Sequence, residues 1–233
     1  MLLELDHIQT FIGEHHILHG ISLEVPEKEV TVLLGRNGAG KTTTLRSIMG
    51  LNPPTQGEIR FQGKKISGLP PYAIARLGIS FVPEDQGIFG ELTVEENLKV
   101  AMISENASTK EKLEWTLNLF PDLEQFWKSK SGWLSGGQKQ MLSIARALVQ
   151  DCTLLLIDEP SKGLAPIVVE KVATSLAEIK HRTTVVLVEQ NFHMASQLGD
   201  RYYLVDDGQI VAKGQMEELK NDEQLKKKYL GIA

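Results

Sequence analysis

Val30-Thr31-Val32-Leu33-Leu34-Gly35-Arg36-Asn37-Gly38-Ala39-Gly40-Lys41-Thr42 decides the fold of this 233-residue chain. Its first five residues form an apolar run, as expected of a strand buried on both faces of a parallel sheet. Gly35, Gly38 and Gly40 follow, with Lys41 and Thr42 completing the phosphate-binding pattern G-x-x-x-x-G-K-[ST]. Glycines there let backbone N–H groups approach phosphate oxygens. A helix is expected from Lys41 through Thr43, Leu45, Ile48 and Met49, and its N-terminal dipole favours an anion. Lys41 would reach the β- and γ-phosphates, and the Thr42 hydroxyl would ligate Mg²⁺. Alone, such a match arises by chance in roughly 1 in 100 chains of this length.

Two later segments give the match its meaning. Leu154-Leu155-Leu156-Ile157 reads as a second buried strand, with Asp158 and Glu159 at its carboxyl edge, the ligand side of an open α/β sheet. Asp158 there would hold Mg²⁺ through its water shell. Between the two, Leu134-Ser135-Gly136-Gly137-Gln138 opens a helix whose apolar face is Met141, Leu142, Ile144, Ala145, Leu148 and Val149. Ser135 is the expected cap and Gln138 stands at the capping-box position.

In this order the three motifs resemble those of an ABC-type ATPase subunit. The resemblance implies an α/β phosphate-loop fold of ABC type: a mixed central sheet, an N-terminal antiparallel β portion and an inserted helical subdomain. It implies ATP and Mg²⁺ as ligands, bound by residues 35–43. It makes Glu159 the general base that polarises the attacking water. It also places Ser135, Gly136, Gly137 and Gln138 against the γ-phosphate of a partner subunit, so that two ATP molecules lie between two chains.

Bulk properties agree. A chain of this length suits one compact unit. Hydrophobic residues make up 42%, enough for a core, and no apolar run approaches the ~20 residues of a membrane span. The N-terminus shows no secretion signal, which points to the cytosol. Cys152 is the single cysteine, which excludes an internal disulfide framework and a cysteine-clustered zinc site; inert packing is its expected role. A net charge of -5 argues against nucleic acid as a partner. Lys226-Lys227-Lys228 reads as a solvated helix face.

Along the chain, Leu2–Ile8 and Ile17–Val25 read as antiparallel strands, Gly57–Gly63 as a short strand, and Ile79–Val82 as a return to the main sheet. Residues 87–133 turn helical, with Thr93/Glu96 and Ser108/Glu111 as capping boxes. They form the expected helical subdomain, continuing into the helix after Gln138, while 1–86 and 134–233 form the nucleotide-binding core. Strands and helices then alternate: Leu154–Asp158, Pro166–Ile179, Thr184–Glu189 and Phe192–Leu198. A hairpin of Arg201–Asp206 and Gln209–Lys213 turns at Asp207-Gly208, and a last helix covers 222–229.

Three positions, and the C-terminal segment with them, depart together from the commonest ABC pattern. Glu84 stands where glutamine is usual, Gln190 where histidine is usual, Ala165 where aspartate is usual, and the chain ends near Tyr229-Leu230-Gly231. With Leu92-Thr93-Val94-Glu95-Glu96-Asn97-Leu98 and Leu187-Val188-Glu189-Gln190-Asn191, this resembles the ATPases of branched-chain amino-acid importers, LivF-like subunits, and their urea and amide relatives. The implied partners are integral membrane permeases, a second ATPase subunit (itself or a sister chain) and, indirectly, an external solute-binding protein. The implied location is the inner face of the cell membrane. A soluble ABC ATPase is the competing class, although its repair and translation members need zinc cysteines, coiled coils or two ATPase units.

Chemistry follows from the departures. Gln190 can sense the γ-phosphate but cannot become cationic as histidine can. Glu84 either acts at the metal in sensing and coupling, or is a solvated loop acid whose neighbour Gln86 makes the contact. For adenine, alignment on Gly13 puts Ile12 at the place of the usual stacking aromatic; a one-residue shift presents Phe11 instead, and Phe11 as ordinary core is the other reading.

Overall fold

A computed structural model describes residues 1–102 and 106–231. The N-terminal half runs β1 (Leu3–Ile12), β2 (His15–Val25), β3 (Val30–Leu34), α1 (Lys41–Ile48), β4 (Gln56–Phe61), β5 (Lys64–Lys65), α2 (Pro71–Arg76) and β6 (Ile79–Val82). Helices α3 (Val94–Ala101), α4 (Ala107–Leu119) and α5 (Asp122–Gln125) follow, then a 3-10 turn (Ser131–Trp133) and α6 (Gly136–Leu148). The remainder is β7 (Leu154–Asp158), α7 (Pro166–Ile179), β8 (Thr184–Val188), α8 (Phe192–Leu198), β9 (Arg201–Asp206), β10 (Gln209–Gln215), α9 (Met216–Asn221) and α10 (Glu223–Leu225).

Six strands form the main sheet in the order β10-β9-β3-β8-β7-β6, and four form an antiparallel sheet in the order β2-β1-β4-β5. The phosphate-loop strand β3 lies inside the main sheet, parallel to β8 and β9; β10 is its antiparallel member. All residues of β3, β7 and β8 are buried, because both faces of the sheet are covered. That is why these strands read as apolar runs and not as alternations. Val30, Val32 and Leu34 face a core shared with α6, α7 and α8, whereas Leu33 faces the one shared with α1 and the antiparallel sheet.

Most expected elements fall where the sequence puts them; several do not. The first hairpin is longer, with β1 reaching Ile12 and β2 starting at His15, so Phe11 and Ile12 sit at its tip. The Thr93/Glu96 capping box forms: Glu96 N donates to Thr93 Oγ1 at 3.2 Å and Thr93 N to Glu96 Oε2 at 2.7 Å. The Ser108/Glu111 box does not. Helix α4 starts earlier, where the Asn106 side chain accepts from Thr109 N at 3.0 Å, leaving Ser108 inside the helix. Residues 103–105 of the expected helical region lie outside the described residues.

Helices α2 and α9 are additions. Each has six residues, too short for a helical period to show in the sequence. The last helix is one α turn capped by Asp222, followed by a π turn over Lys226–Leu230 that ends at Gly231, φ 70°. Lys227 and Lys228 are exposed as expected. Lys226 is not: its ammonium turns inward to the Lys220 carbonyl and the Glu223 carboxylate, over the Phe192 ring. Cys152 keeps some exposed surface, yet burial pushes its thiol up to about 11, in keeping with packing. Among the described residues no helix is long and apolar enough to cross a membrane.

Candidate active site

The phosphate loop can only be built from glycine at its ends. Gly35 has φ 151°, and a Cβ there would lie 2.1 Å from the Val205 carbonyl oxygen; at Gly40, φ 105°, it would lie 2.8 Å from Leu18 Cδ2. The loop is also clamped from behind. Gly208 N donates to the Ala39 carbonyl at 2.9 Å, while its own carbonyl accepts from His19 N at 2.8 Å. The Asp207-Gly208 turn, legible in the sequence only as a hairpin turn, thus ties the phosphate loop to β2.

Lys41 is 4% exposed and has its ammonium folded back on its own loop, donating to the carbonyls of Gly35 at 2.9 Å and Arg36 at 3.0 Å. Desolvation holds its pKa below the usual lysine value, against the attraction of Glu159 and Asp158. Thr42 Oγ1 donates to Asp158 Oδ1 at 3.1 Å. That hydroxyl and carboxylate are a hard-oxygen pair of the kind Mg²⁺ takes beside substrate phosphates, so the donor set fits the metal. Thr43 is buried in α1.

Asp158 ends β7 and is 1% exposed. Desolvation raises its carboxyl from 3.8 to about 6; Glu159 and Glu84 add to this, and the Thr42 hydrogen bond and Lys41 oppose it. Between those two values the folded chain keeps a proton that the unfolded chain has lost. From this group, the nucleotide-free protein therefore loses stability as pH rises from about 4 to about 6. Asp158→Asn is expected to remove that component, measured by thermal melts in EDTA across the window. Parallel curves for the variant and wild type would contradict it.

Glu159 takes φ 46°, a conformation that costs a non-glycine residue about 1–3 kcal/mol and recurs at functional sites. Its Oε1 accepts from Gln190 Nε2 at 2.5 Å and lies 3.7 Å from Lys41 Nζ. The same Gln190 amide also donates to Asn37 Oδ1 of the phosphate loop. The structure thus brings Asn37, Lys41, Thr42, Asp158, Glu159 and Gln190 together from the phosphate loop and the start of α1, the end of β7 and the segment after β8.

Glu189 was not singled out by sequence reasoning, yet it organises this junction. It is 1% exposed; Oε1 accepts from Ser161 N at 3.0 Å, and Oε2 from Gln190 N and Asn191 N, both at 2.9 Å. The available signal is an acid directly after the apolar run Val185–Val188, a position where burial demands partners.

Glu84 pairs with Lys162, Oε1 to Nζ at 2.5 Å. Gln86 instead faces the helix entry, donating to the Gly136 carbonyl at 3.3 Å, while its own carbonyl accepts from Ser143 at 2.6 Å. The Ser135/Gln138 capping box forms, with Ser135 N to Gln138 Oε1 at 2.9 Å and Gln138 N to Ser135 Oγ at 3.3 Å. Gly137 is pressed onto α7, where a Cβ would lie 2.4 Å from Val168 Cγ1. Among the described residues, the hydrogen bonds of Ser135–Gln138 stay within that turn and its helix or go to Gln86, not to the phosphate loop of the same chain. Phe11 and Ile12 are exposed, which removes the ordinary-core reading of Phe11; its ring stacks on His16, centroids 4.2 Å apart.

A nucleotide-phosphate loop on an inner strand, facing strand-end carboxylates across β8, is the architecture of a phosphate-loop ATPase. The antiparallel sheet and the helices between β6 and α6 narrow it to the ABC class. Residues 18–162 match the family described as ABC transporter, and the chain belongs to that family. It is 38% identical over 232 residues to the high-affinity branched-chain amino acid transport ATP-binding protein BraG of Pseudomonas aeruginosa, covering 99% of this chain and 100% of that one. It is 36% identical over 223 residues to a probable branched-chain amino acid transport ATP-binding protein, LivF, of Archaeoglobus fulgidus, covering 94% of each. A nucleotide-free ATP-binding cassette from an ABC transporter superposes with a TM-score of 0.86 at 27% identity, over 100% of this chain and 99% of that one. A dimeric cassette in a post-hydrolysis state, bound to ADP and Pi, superposes at 0.81 and 26%, over 92% and 98%.

Proposed function

We propose that this ABC ATPase powers the import of branched-chain amino acids, as a subunit docked on integral permeases at the inner face of the membrane. The observation that carries the substrate class is the full-length likeness to BraG and LivF. In this reading Lys41 and the loop 35–43 hold the β- and γ-phosphates, leaving the loop carbonyls that Lys41 now contacts. Thr42 and Asp158 would hold Mg²⁺, which when bound neutralises phosphate charge. Glu159 orients and deprotonates the attacking water, and Gln190, already bridging Glu159 and Asn37, reports the γ-phosphate to it. The outward-facing Ser135 turn completes the site of a second ATPase subunit.

Transmission to the permeases uses the groove beside Glu84, lined by Phe81, Pro83, Gln86, Val100, Ala101 and Arg146. Near that groove Asn97 ties the Phe89 segment to the 3-10 turn that precedes Ser135: the Asn97 side chain binds both N and O of Phe89, at 2.9 and 3.0 Å, and Ser131 Oγ at 3.0 Å. Residues 87–133 would move as one unit with α6. Phe11 at the exposed hairpin tip is the adenine contact in this scheme.

Affinity purification of the tagged chain from detergent-solubilised native membranes tests the reading. Two polytopic permeases, a second ATPase and a receptor that binds leucine, isoleucine or valine are expected. A receptor for urea or short amides would move the substrate class, and recovery only from the soluble fraction would end the transport reading.

A further inference from the structure

Lys162 lies outside the three nucleotide-binding motifs, yet it pairs with two carboxylates, Glu84 and Glu159. Its ammonium lies 2.5 Å from Glu84 Oε1 and 3.6 Å from Glu159 Oε2. The other Glu159 oxygen is already held by Gln190 and Lys41. Lys162 is therefore the cation on the remaining side of that carboxylate. Its backbone is fixed to the same place, because Lys162 N donates to the Glu159 carbonyl at 3.1 Å and closes the turn that follows the strained residue. Ser161 within that turn is pinned by Glu189.

Glu84 stands one residue after Pro83 and two before Gln86, both in the wall of the groove. A displacement of this wall moves Glu84, and Glu84 is joined to the site through Lys162. Four acids, Glu84, Asp158, Glu159 and Glu189, lie around this junction. A lysine shared between two of them lowers their repulsion, and its position changes when either one moves. The pair is half exposed, and such pairs add little to stability. Its consequence therefore lies in the orientation of Glu159.

We propose that Lys162 is a positioning residue for Glu159, holding its second oxygen and linking it to Glu84, so that the groove wall sets the placement of the hydrolytic carboxylate. This rests on the reading of Glu159 as the general base. It also gives Glu84 a role in coupling without direct contact with the metal.

The test compares Lys162→Met, Lys162→Arg, Glu84→Gln, the double variant Lys162→Met/Glu84→Gln, and Glu159→Gln, each full length in the complex recovered from membranes. Steady-state MgATP hydrolysis and binding of a fluorescent ATP analogue are measured for each, with thermal melts to verify folding. Lys162→Met is expected to lower kcat roughly 5- to 10-fold with KM and analogue affinity unchanged within about 2-fold, and Lys162→Arg to restore most of it. The double variant is expected to match Lys162→Met alone, because Glu84 acts through the lysine. Unchanged kcat in Lys162→Met, or effects of Lys162→Met and Glu84→Gln that multiply, would overturn the link. Turnover surviving in Glu159→Gln would instead remove the general base itself.

Discussion

Glu159→Gln is expected to cut the turnover number for ATP by about 100- to 10,000-fold while leaving MgATP binding intact, the loss typical of a missing general base. The substitution keeps the shape of the side chain, so the hydrogen bond from Gln190 Nε2 still finds an amide oxygen at the place of Oε1. What disappears is the ability to take a proton, together with one negative charge near the phosphates. Nucleotide affinity should therefore hold or rise, and the ATP-bound dimer, no longer opened by hydrolysis, should accumulate. Sizing chromatography with and without MgATP checks this: the variant is expected to shift to a dimer that wild type does not retain. Wild-type turnover in the variant, measured as phosphate release, would mean that another group activates the water.

Lys41→Ala is expected to weaken MgATP binding by at least about 100-fold, the loss of a charge-assisted contact to phosphate in a desolvated site. The lysine is buried against the Gly35 and Arg36 carbonyls, which holds its charge beside the loop. Alanine at the first position of α1 does not oppose the helix. The readout is the ATP-dependent rise in melting temperature. At a ligand concentration of about 100 Kd, wild type gains about 2.7 kcal/mol from binding; the variant at the same concentration should gain almost none. A retained shift would show that the backbone N–H groups alone hold the phosphates.

The two variants separate binding from chemistry, and they fall on residues that the sequence picks out without a structure. That follows from where the information lies. A parallel strand covered on both faces is largely apolar, so the strands containing Val30–Leu34, Leu154–Ile157 and Val185–Val188 announce themselves. Glycine with positive φ, a helix-opening lysine, and the Ser135/Gln138 box are local requirements, and local requirements are written in consecutive residues. Short elements escaped for the converse reason. Six-residue α2 and α9 complete less than two turns, and Asn106 outcompeted Ser108 as a cap although both residue types suit the position.

By itself the sequence determined the phosphate loop, the order of the strands and helices around it, the carboxylate pair and the capped serine turn. Tertiary structure alone decided which distant residues answer one another. Glu189 spans the loop after Glu159 and the one after β8; Gly208 clamps Ala39 to β2; Lys162 sits between Glu84 and Glu159. Glu84 and Lys162 are 78 positions apart, and Gly208 and Ala39 are more than twice as far apart in the sequence. No periodicity or capping rule relates such positions. Their meeting is fixed by the parallel order of β6, β7, β8, β3 and β9, which brings the carboxyl ends of the strands to one edge and obliges the polar groups buried there to pair.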